Sequence, residues 1–95
     1  MDAQKVFTGT RGEVLARAMQ AAFTFYGPHH QCMLVIPPRL GQYIDLIFTI
    51  SYGVSICIEQ VGEETYVIYP ELKSQKNYKE VYSQLDKAIR HAFST

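Results

Sequence analysis

The sequence predicts a small α+β domain, a two-layer sandwich in the order α-β-β-β-β-α. Both helices pack on one face of an antiparallel four-stranded sheet. Three observations carry this prediction. Helical apolar periodicity recurs near each end of the chain, in residues 14–26 and 78–92. Between them, residues Ile44 to Ile58 alternate apolar and polar with one break at Ser51-Tyr52-Gly53, the period-two pattern of strands with one buried face. No internal repeat or long linker divides the 95 residues, which suit one domain covering residues 1–95.

The first nine residues are polar apart from Val6 and Phe7 and read as a short arm. Thr10-Arg11-Gly12-Glu13 has the spacing of a capping box, in which a threonine oxygen takes an orphan helix amide and a glutamate reaches back. The helix that follows should bury Val14, Leu15, Ala18, Met19, Ala22, Phe23 and Tyr26 as a single stripe. Gly27-Pro28 should end it, since proline cannot continue the hydrogen-bond ladder. Cys32-Met33-Leu34-Val35-Ile36 is apolar throughout, as expected of a strand buried on both faces and closed by Pro37-Pro38.

The alternating run should form a hairpin. A three-residue loop, Ser51-Tyr52-Gly53, pairs Ile50 with Val54, Phe48 with Ile56 and Leu46 with Ile58, keeping these six apolar side chains on one face. It also sets Gly53 at the left-handed position such loops require. Thr65 to Tyr69 is rich in β-branched and aromatic residues and predicts a last strand stopped by Pro70. Asn77 followed by Glu80 repeats the capping pattern. The second helix should bury Tyr78, Val81, Tyr82, Leu85, Ala88, Ile89 and Ala92, with Asp86 and Arg90 paired one turn apart. The deepest residues should be Phe48, Ile50, Val54, Ile56, Leu15, Met19, Phe23, Val81, Leu85 and Ile89.

In an edge position the 32–36 strand conflicts with its own composition. No Lys, Arg, Asp or Glu lies between Gly27 and Pro38, whereas edge strands are normally blunted by charge or proline. Either the strand is interior or something covers it. A homodimer, paired edge to edge or through the open sheet face around Ile47 and Tyr69, is the expected cover.

Composition narrows the function classes. Nine basic and nine acidic residues cancel, which argues against nucleic acid as the partner, because phosphate binding leaves a basic footprint. Glu59, Glu63, Glu64 and Glu71 form an acidic stretch, and the residues after Lys73 are mildly basic. No apolar stretch has the length of a membrane span, and the first residues lack a signal-peptide core. Cys32 and Cys57 should be reduced thiols in the cytoplasm.

The search for chemistry finds no established catalytic constellation. His29-His30-Gln31-Cys32 has metal-ligating residue types without a second ligand pair, so neither a metal nor another cofactor is expected. Cys57 beside Glu59 lacks an assignable histidine base. Asp45 opposite Glu59 has the form of a carboxylate pair, but near strand ends, where solvent relaxes the repulsion. The balance leans away from an enzyme.

What remains is tyrosine, seven copies with no tryptophan, a residue favoured at interfaces. The expected function is a small interaction module, self-associating and acting on a partner protein. The alternative is a small-molecule site on the open sheet face or between helices and sheet. The candidate binding residues are Tyr43, Asp45, Ile47, Cys57, Glu59 and Tyr69.

Overall fold

A computed structural model of the chain describes residues 5–27, 33–37, 43, 45–51, 53–73 and 77–94. Pro28, His29, His30, Cys32, Ile44 and Tyr52 lie outside them. The elements are β1 (Lys5–Thr8), α1 (Arg11–Tyr26), β2 (Met33–Val35), β3 (Asp45–Ser51), β4 (Val54–Gly62), β5 (Thr65–Leu72) and α2 (Tyr78–Ala92). All strand pairs are antiparallel, in the order β1-β5-β4-β3-β2.

The α+β class and the helices on one sheet face agree with the sequence, but the sheet has five strands. The fifth is β1, formed from the expected arm. Its one buried side chain, Phe7, meets Phe93 edge-on at 5.3 Å between ring centroids, and the Arg17 guanidinium lies 5.0 Å from the Phe7 ring centre. A strand held by pairing to β5, some sixty residues away, leaves little local pattern to read. Gly9 follows it because a side chain there would collide with Phe7 and Glu13, whose atoms lie 2.8 and 2.7 Å from where a Cβ would sit.

Thr10 caps α1 as the sequence indicates. Its Oγ1 accepts from the Glu13 amide at 3.2 Å, and the Glu13 carboxylate accepts from the Thr10 amide at 2.8 Å. The helix ends at Gly27, whose φ of 97° suits glycine. On α2 the Asp86–Arg90 pair forms at 3.0 Å. Asn77 stands at the N-cap position but makes no side-chain capping bond, so there the spacing did not translate into geometry.

The hairpin register is the predicted one through its length: Leu46 faces Ile58 and Phe48 faces Ile56. At the tip the outcome differs. Ser51, not Ile50, pairs with Val54, after a register shift between Thr49 and Ser51. A bulge of this kind absorbs one residue while the inner register is kept. Gly53 has the expected left-handed φ, 76°.

Strand β5 also runs through Pro70 to Leu72 instead of stopping. Described pairing with β1 extends only to Ile68, so beyond it the strand has one neighbour among the described residues, where a missing amide is tolerated.

The core joins the helix-facing side of the sheet (Leu46, Phe48, Val54, Ile56, Ile58, Tyr66, Ile68) to Val14, Ala18, Ala21 and Ala22 of α1 and Leu85, Ala88, Ile89 and Ala92 of α2. Leu15 and Val81 are half-buried against it. Met19 and Phe23, expected in the core, are instead 45% and 40% exposed. Val14 and the small residues Ala18, Ala21 and Ala22 take the core positions of α1 instead.

The expectation for β2 is overturned most clearly. Met33–Val35 forms an edge strand paired only with β3 among the described residues, and none of it is buried. Dimensions explain this. Five strands at about 4.8 Å spacing span about 24 Å, whereas two helices packed at about 10 Å cover about 20 Å. One strand's width stays bare. Because α2 packs on β5, and Phe7 of β1 and Leu46 and Phe48 of β3 are buried while Leu34 is 42% exposed, that strand is β2.

Candidate functional site

Two surfaces stand outside the core: the open face of the sheet and the β2 edge. On the open face the register aligns Val35, Ile47, Cys57 and Tyr69 across four strands. Asp45, Glu59 and Val67 form the next row on one side, and Met33, Thr49, Ser55 and Glu71 the row on the other. A shallow depression of about 110 Å³ lies over the middle, lined by Pro37, Asp45, Ile47, Cys57, Glu59, Tyr69 and Glu71 among others. Five of the six candidate binding residues therefore come together. Tyr43 does not line this depression.

The polar groups there are hydrogen-bonded to one another. Tyr69 donates its hydroxyl to Glu59 Oε2 at 2.6 Å, and the Cys57 thiol donates to Glu71 Oε1 at 3.2 Å. Glu71 is the residue that sequence reasoning missed. Placing it requires a strand that runs past Pro70, where proline ordinarily signals a stop.

Burial, and then the Glu71 carboxylate, push the Cys57 thiol up from 9.0 to about 12. Burial, followed by its bond to Glu59, also raises Tyr69 above the usual phenol range. Both groups hold their protons at neutral pH, so Cys57 stays a thiol and Tyr69 stays a donor.

The sign for stability follows from the same shift. The unfolded thiol ionises near pH 9, while the folded one retains its proton until about 12. Stability from this group is therefore complete below pH 9 and declines as pH rises towards 12. Urea unfolding at pH 8 and pH 10.5 should show the loss, and Cys57→Ala should reduce the pH dependence. Native Cys57 should also alkylate far more slowly at pH 8 than the unfolded chain. Equal rates in the two states would show that the thiol is neither buried nor held by Glu71.

Among the described residues no group of His, Cys, Asp and Glu side chains could hold a metal ion, and no helix is long and apolar enough to cross a membrane. Cys57 is a free cysteine.

The second surface is the β2 edge. Met33, Leu34, Val35 and Ile36 are 61%, 42%, 37% and 56% exposed. One side of the strand pairs with β3, and its other side faces no strand among the described residues. A row of backbone donors and acceptors with apolar side chains above and below is a template for another strand. Comparison of the chain with protein-family models, with curated proteins and with solved structures finds no match.

Proposed function

We propose that the protein is a small interaction module that self-associates through the β2 edge and acts by binding a partner protein. The observation that carries this reading is the run of four exposed apolar side chains, Met33 to Ile36, along and just after a strand whose other side faces no strand among the described residues. Strand addition would satisfy the free backbone groups while covering apolar surface. A second copy suits the strand because it carries no charge. Antiparallel self-pairing sets a strand against its own sequence, and any charge near the centre would meet its like.

The competing reading, a small-molecule site, draws support from the open-face depression. Its volume of about 110 Å³ is well below the roughly 300–1,000 Å³ of ordinary ligand pockets, and its polar groups already bond to each other. A cytoplasmic location accords with the free thiol of Cys57.

Light scattering at micromolar concentration tests self-association. The expected mass is twice the 10.9 kDa of one chain. A single-chain mass up to the highest soluble concentration would overturn it.

A further inference from the structure

We infer that the flank of α1 bearing Leu15, Met19 and Phe23 is the second half of the self-association surface, contributed by both copies beside the β2 seam. This rests on the β2 pairing proposed above. The three residues lie at successive i, i+4 positions, so they form one stripe along the helix. The opposite flank of α1 faces α2: Arg17 donates to the carbonyls of Ala92 and Ser94 at 2.9 and 3.1 Å, and Thr24 shares a groove with Gln84, Lys87 and His91. The Met19–Phe23 flank is therefore turned away from α2 and towards the β2 end of the sheet. Leu34 stands below it on the same side, since it pairs with the core residue Phe48.

The interface area needs this second contribution. Three residues of strand extend about 10 Å, and their pairing covers on the order of a few hundred Å². Stable complexes bury about 1,200–2,000 Å². The β2 edge alone is too small.

Symmetry then selects the adjoining surface. A strand pairs antiparallel with its own copy about a two-fold axis perpendicular to the sheet, which leaves the helices of both copies on one side. Both α1 flanks then border the seam, with Leu34 and Ile36 of each copy between them. A single operation thus brings together two separate exposures, the β2 edge and the large side chains of α1.

The test compares dimer dissociation constants by analytical ultracentrifugation for the full chain, the double variant Met19→Gln/Phe23→Gln, the single variant Met19→Gln and the seam variant Met33→Lys/Val35→Lys. The double variant should dimerise at least about tenfold more weakly, with the single variant shifted in the same direction. Circular dichroism should show both folded. If the double variant fails to fold, the single variant decides. Unchanged affinity in folded α1 variants, with Met33→Lys/Val35→Lys monomeric, would overturn this inference and leave the β2 reading standing. If the α1 variants dissociate but Met33→Lys/Val35→Lys does not, the β2 reading fails and the seam geometry with it. A wild-type monomer would end both.

Discussion

Replacing Phe48 with alanine should cost about 3–5 kcal/mol, the range for deleting a buried aromatic ring. Phe48 is buried in the middle of β3, opposite Ile56 on one side and Leu34 on the other, and it belongs to the core shared with α1 and α2. Domains of this size are stable by only about 5–15 kcal/mol, so the loss would be a large fraction of the total. Ile47, the next residue, points to the half-exposed open face, and Ile47→Ala should cost markedly less. Urea denaturation of the two variants measures the contrast. A loss below about 1 kcal/mol at Phe48 would mean that the wrong face of the hairpin has been assigned to the core.

That assignment was legible in the sequence because it is local. Alternation over residues 44–58 sets which side chains share a face, and Gly53 marks the turn, so the pairs Leu46–Ile58 and Phe48–Ile56 follow by counting. The α1 cap was legible for the same reason, since Thr10 and Glu13 are three residues apart. The misses share the opposite property. β1 is a strand only because β5 lies beside it, and Glu71 reaches Cys57 only because β5 continues past Pro70. Composition also cannot distinguish a buried apolar residue from an exposed one awaiting a partner. Met33 to Ile36, along and just after β2, and Met19 and Phe23 on α1 have the composition of core, and they form the apolar margin of the molecule instead. The apolar arc of α1 is broad enough to serve both sheet and flank, and the small residues Ala18, Ala21 and Ala22 take the sheet because they allow close approach.

The candidate site divides along the same line. The row Ile47, Cys57 and Tyr69 was accessible from strand alternation, and Asp45 opposite Glu59 from the hairpin register. The bonds that use up its polar groups, Tyr69 to Glu59 and Cys57 to Glu71, depend on how β4 and β5 pair. Those bonds turn an apparent constellation of acids and a thiol into a settled network, and they move attention from the open face to the edge.

The pairing of β2 with its own copy makes a directional prediction about charge. A two-fold axis through Leu34, the middle of the strand, sets Met33 of one copy against Val35 of the other. Both side chains lie on the open face, opposite Thr49 and Ile47, and both are exposed enough to accept a charged residue without disturbing the core. The double variant Met33→Lys/Val35→Lys places ammonium groups against each other, a juxtaposition that destabilises strand pairing. The variant Met33→Glu/Val35→Lys places carboxylate against ammonium at both positions. The decisive measurement is the sedimentation mass of these two variants beside the wild-type chain. The account predicts a dimer for the wild type, a monomer for the double lysine variant and a dimer restored for the Glu/Lys variant. A double lysine variant that remains as dimeric as the wild type would contradict it.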